Sequence, residues 1–102
     1  MIESFVDGRV RLRSPLFAET DIAEALVECL KTVAGVRKVD FNSRTGGMLL
    51  EYDPSRIPQA LIVQAAPLLE RMDQLQHVAQ PQRREGAKGL LGELKNLLST
   101  HS

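Results

Sequence analysis

Between residues 5 and 72 the hydrophobic period switches from two residues to about 3.6, back to two, and again to about 3.6. That order admits few folds. Over residues 5–12, Val6, Val10 and Leu12 fall on one side, while Arg9, Arg11 and Arg13 fall on the other. Successive side chains of a strand point to opposite faces, so this alternation reads as a half-buried strand. Asp7-Gly8 offers a turn or bulge at its start, and Pro15 ends it. Ile22, Leu26, Cys29, Leu30 and Val33 then follow at helical spacing. Asp21 as N-cap and Glu24 have the spacing of a capping box, and Gly35 stands where a left-handed cap stops a helix. Residues 21–34 are therefore expected to be helical.

Residues 36–41 and 48–52 return to the strand period. Val39 and Phe41 share one face of the first, and Met48, Leu50 and Tyr52 share one face of the second. The turn chemistry of residues 42–47, Asn-Ser-Arg-Thr-Gly-Gly, joins them as a hairpin. Asp53-Pro54-Ser55 breaks the strand, and Pro58 suits the first turn of a helix. Ile57, Leu61, Ala65, Leu68, Leu69 and Met72 then recur at helical spacing. Pro67 lies inside this pattern and has no N–H for the Val63 carbonyl, so a kink or weakened turn is expected. Residues 75–79 read as a short fourth strand. The expectation is an α+β, ferredoxin-like βαββα(β) sandwich, with two helices on one face of an antiparallel sheet and a C-terminal amphipathic helix beyond it.

Composition divides the remainder. Residues 1–79 read as the domain. Residues 80–88 lack large apolar side chains and read as a polar linker. Residues 89–102 carry Leu90, Leu91, Leu94, Leu97 and Leu98 on one helical stripe. Such a tail can fold back on its own domain, pair with a copy of itself, or dock into a partner's groove. Peripheral contact with a membrane surface is a fourth use, which Glu93 and the scarcity of basic residues disfavour. Leu-Gly-x-Leu-Lys on a tether also fits, loosely, a peptide that addresses cargo to a protein shell.

Charge and cysteine usage exclude several classes. Thirteen basic residues balance 13 acidic ones, which removes the generic electrostatic case for nucleic acid. A single cysteine makes neither an internal disulfide nor a structural zinc site. The start has neither a basic region nor an apolar one, and no apolar run approaches the ~20 residues of a membrane span, so a cytoplasmic address is expected. No phosphate loop, nucleophile triad or Glu/His metal cluster is present, so catalysis is not expected.

The phrases "GVRKVDFNSRTGGMLLEYDPSRI" and "GRVRLRSPLF", within the βαββα order, resemble the heavy-metal-associated domain family over about residues 5–79. The hairpin phrase resembles the family's second and third strands, whereas "GRVRLRSPLF" looks more like a divergent branch, found as small standalone proteins and at the N-termini of some cation-transporting P-type ATPases. The resemblance implies the ferredoxin-like fold and a link to metal homeostasis or transporter regulation. Metal-carrying members hold Cys-x-x-Cys in the loop after the first strand. Here residues 13–20 read Arg-Ser-Pro-Leu-Phe-Ala-Glu-Thr, with no Cys, His or Met. Soft ions need soft ligands, so metal binding does not carry over to this loop.

The candidate residues follow. Arg9, Arg11 and Arg13 lie on the face away from the helices, with Lys38, Asp40 and Glu51 on neighbouring strands. They serve either as cross-strand ion pairs or as an anion or partner surface. Sequence-specific RNA reading is not expected, because Phe41 and Tyr52 are in phase with the core. Cys29, on an apolar helix face, reads as a small hydrophobe, and Met48 and Met72 read as core. The leading expectation is a non-catalytic adaptor module that meets a protein partner through its sheet and its leucine tail, with no cofactor. One rival is a metal or haem binder using His77 or Cys29; His101 reads as a tail residue. Another is an assembly protein acting through its leucine helix.

Overall fold

The computed structural model describes residues 1–99. Its strands are β1 (Ile2–Val6), β2 (Arg9–Arg13), β3 (Val36–Asn42) and β4 (Gly47–Tyr52); its helices are α1 (Thr20–Lys31), α2 (Gln59–Gln74) and α3 (Gln82–Ser99). The strands form one antiparallel sheet in the order β1-β2-β4-β3. The architecture is thus α+β, with a four-stranded sheet and three helices.

The first strand expected from the sequence is in fact a hairpin. Gly8 adopts φ +83°, which a Cβ would strain, and reverses the chain so that Val6 pairs with Arg9. Val6 therefore leaves the side of Val10 and Leu12 and is 63% exposed. β1 takes the sheet edge beside β2. The fourth strand expected at residues 75–79 does not form: Leu75–His77 is a 3-10 turn. Closing a two-residue loop costs less chain entropy than returning a strand from far along the sequence.

Both of the first two helices depart from their sequence signals. Glu19, with extended backbone, precedes α1, and the capping box at Asp21 and Glu24 does not form. Asp21 instead lies in the first turn and pairs with Arg84 at 3.0 Å. Gly35 takes φ +97°, but it turns the chain into β3 rather than capping α1, which ends at Lys31. Helix α2 runs through Pro67. Pro67 and Val63 both lie on the exposed side, where water can satisfy the freed carbonyl.

One face of the sheet is covered. Val10, Leu12, Val39, Met48, Leu50 and Tyr52 join Ile22, Leu26 and Leu30 of α1 and Leu61, Ile62, Ala65, Leu69 and Met72 of α2 in one buried cluster. Helix α3 packs against both α1 and α2. Leu94 and Leu98 reach the sheet residues Val10, Leu12 and Leu50, where they line a wholly apolar gap of about 30 Å³.

The polar linker expected at residues 80–88 is helical from Gln82. Arg83 explains why. Its Nε donates to the carbonyls of Leu75 at 3.1 Å and Val78 at 2.8 Å, its Nη2 donates to that of Gln76 at 3.4 Å, and its Nη1 pairs with Glu19. One guanidinium thus satisfies the end of the 3-10 turn and ties the start of α3 to the start of α1.

Candidate binding surface on the open sheet face

The alternation of β2 sends Arg9, Arg11 and Arg13 to the face that no helix of the described residues covers, and all three are exposed. Strand register completes three cross-strand rows. Arg9, Glu51 and Lys38 form one, Arg11, Leu49 and Asp40 the next, and Arg13, Gly47 and Asn42 the third. The side chains expected to share this surface, Arg9, Arg11, Arg13 and Lys38, do share it.

They are not electrostatically equivalent. Arg13 Nε meets Glu3 at 3.2 Å, and its Nη1 donates to the Thr45 carbonyl at 2.9 Å. Lys38 Nζ lies 3.1 Å from Asp40. That carboxylate, with Glu51 behind it, pushes the ammonium pKa above its ordinary value. The side chains of Arg9 and Arg11 make no ion pair or hydrogen bond among the described residues.

A shallow trough of about 520 Å³ runs across this face, with Arg11 and Arg13 on one wall and Asp40 and Asn42 on the other. Gly47 and Leu49 form its floor. A glycine at the centre of a row removes the side chain that would fill the trough. The aromatic rings are committed to the core side rather than to base stacking. Phe5 is in register with the core-facing Val10. Phe41 borders the trough but meets Phe17 edge-on at 6.1 Å, and Tyr52 is buried.

The loop after β2 is a structural latch. Ser14 is 1% exposed. Its Oγ donates to Asp73 of α2 and accepts the Leu16 N–H at 3.2 Å, capping the 3-10 turn Pro15–Ala18. Leu16 and Phe17 of that turn are in the core. Gly46, at φ +70°, lets the hairpin turn approach the Ser14 carbonyl so closely that a Cβ there would stand 2.9 Å from it. The depression beside the latch is lined by Arg13, Arg44 and small or hydroxyl side chains, with no thiol, thioether or imidazole. This donor set does not fit a soft metal ion.

The other candidates lie apart from the sheet face. Cys29 is half-buried between α1 and α3, its Sγ 3.7 Å from the Leu91 carbonyl. Burial pushes its thiol pKa up, against a weaker opposing pull from Lys95. His77 is exposed in the 3-10 turn after α2. No group of three His, Cys, Asp or Glu side chains able to hold a metal ion occurs among the described residues. Leu90, Leu94 and Leu98 are buried in this chain's own core, and Leu91 and Leu97 are half-buried against it, so the leucine stripe does not form an open docking surface. His101 lies outside the described residues. No helix among the described residues is long and apolar enough to cross a membrane.

Sequence reasoning missed two determinants. Ser14 carries no local signal of a partner 59 residues away. Arg83 was legible in principle, because Arg83, Ala87, Leu90, Leu94 and Leu98 continue one helical stripe back through the polar segment.

A family model described as heavy metal associated domain 2 matches residues 1–101. No curated protein and no solved structure matches the chain.

Proposed function

Since the chain belongs to the heavy metal associated domain 2 family and yet offers no soft ligand in the loop after β2, we propose that it is a non-catalytic adaptor that binds a protein partner through the open face of its sheet. The partner presents carboxylates. The observation that carries this reading is the pair Arg9 and Arg11, two exposed guanidinium groups on a rigid strand that make no ion pair among the described residues. Guanidinium presents a planar fork suited to carboxylate, and a strand holds two such forks at fixed spacing without the entropy cost of ordering a loop. The trough beside Arg11 gives room for an incoming chain. The family's description supports a metal-related setting for this role, in which the adaptor acts on a metal-handling protein rather than on the ion.

The test is an amide-shift titration of the whole chain with a glutamate-rich peptide, on the wild type and on Arg9→Ser/Arg11→Ser. Saturable shifts confined to β2, β4 and β3, lost in the double variant and weakened by salt, are expected. Shifts elsewhere, or shifts indifferent to the two substitutions, overturn the reading. The rival reading, a metal or haem held by Cys29 or His77, has as its support only the half-exposed thiol and the exposed imidazole. One equivalent of bound metal or haem in native mass spectrometry, lost in Cys29→Ala or His77→Ala, would establish it instead.

A further inference from the structure

Strand β3 is the outer strand of the sheet and, at seven residues, the longest. It contains neither proline nor glycine, the residues that commonly blunt a sheet edge. The irregularity in its pairing with β4 lies at its start, between Val36 and Lys38, and the register from Lys38 to Asn42 is regular. β4 covers one side only, so the other side of β3 carries a row of backbone donors and acceptors. Two opposite charges, Lys38 and Asp40, flank Val39 on the open face. We infer that this edge pairs with the same edge of a second copy of the chain, antiparallel about Val39.

The charges select the register. In an antiparallel pair centred on Val39, Lys38 stands opposite the second copy's Asp40, and Asp40 stands opposite its Lys38. Both contacts are attractive, and the whole strand from Val36 to Asn42 overlaps. A slip of two residues one way sets Lys38 against Lys38. A slip of two the other way sets Asp40 against Asp40. Each opposes like charges and shortens the ladder. A slip of one residue sets the buried Val39 against a charged side chain and reverses the faces. Only one of these registers satisfies both charge and face.

The two-fold axis of this pairing is perpendicular to the sheet. The result is one eight-stranded sheet whose two open faces lie on the same side. The other edge, β1, does not offer the same device: it has five residues, its register is broken between Ile2 and Ser4, and Glu3 is paired with Arg13.

Sedimentation of the full chain over a concentration series at low ionic strength tests this. A reversible monomer–dimer equilibrium is expected. Lys38→Asp and Asp40→Lys each place like charges in two symmetry-related contacts and weaken the dimer by about tenfold or more. An equimolar mixture of the two single variants forms a heterodimer tighter than either homodimer, because an acidic edge then faces a basic one. That rescue cannot come from repair of a folding defect or of the Lys38–Asp40 contact within one chain, since neither chain changes on mixing. A wild-type chain that stays monomeric at every concentration overturns the inference. So does a dimer unaffected by either reversal, or a mixture that shows no preference for the heterodimer.

Discussion

The two faces of the sheet are written by the same strands and behave oppositely. On one face Val10 and Leu12 are each 2% exposed and three helices close over them. On the other, Arg9, Arg11 and Arg13 stand in water beside a trough. Alternation alone produces this division, because a one-residue step along a strand changes the face. The difference teaches where stability resides and which face is left open to the proposed binding. The covered face is held by apolar burial and tolerates little change. The open face contributes little to folding, since exposed ion pairs are worth roughly 0–1 kcal/mol. It is thus free to be specified for a partner.

The largest expected effect lies on the covered side. Leu94 is 1% exposed and belongs to the helix that composition sets apart as a tail. Leu94→Ala removes apolar burial and enlarges the gap already lined by Leu94 and Leu98. It is expected to cost about 2–5 kcal/mol, measured by urea denaturation. A cost near zero would mean that α3 is dispensable to the core and that the two faces are less different than described.

A smaller effect is expected at the latch between the faces. Ser14→Ala removes both the cap of the 3-10 turn and the hydrogen bond to Asp73. The expected cost is about 1–2 kcal/mol by the same measurement. A matching loss in Asp73→Ala, with no further loss in the double variant, would show that the two residues act as a unit.

The smallest effect is expected on the open face. Arg9→Ser/Arg11→Ser should change stability within the range of ordinary surface substitutions, about 0.5 kcal/mol or less for each site, read from the thermal midpoint. The same variant should lose the acidic peptide. A large destabilisation would break the comparison, because it would make the arginine ladder a structural element.

Much of this was legible in the order of residues. The two helices that carry Leu26 and Ala65 were legible from their apolar stripes. So were the hairpin of β3 and β4, the core phase of Met48, Leu50, Tyr52 and Met72, and the outward arginines. All of these rest on local periodicity, which acts within a few residues. The misses share another cause. Parity assigns Val6 to the core, but Gly8 reverses the chain before parity can apply. Residues 75–79 read as a strand on weak apolar content, while Arg83 takes the carbonyls that a ladder would need. Asp21 carries a capping signature, yet Glu19 precedes the helix and Asp21 meets Arg84.

The sequence by itself determined which residues face inward on most elements, and that residues 13–20, after β2, hold no soft metal donor, because periodicity and side-chain chemistry are properties of short segments. Only the tertiary structure decided that the N-terminal strand takes the edge beside β2, that Ser14 locks the loop to Asp73, and that the polar segment begins a helix whose leucines complete the core. Each of those outcomes depends on a contact between residues far apart in the chain or on competition for the same backbone groups, and no local pattern carries that information.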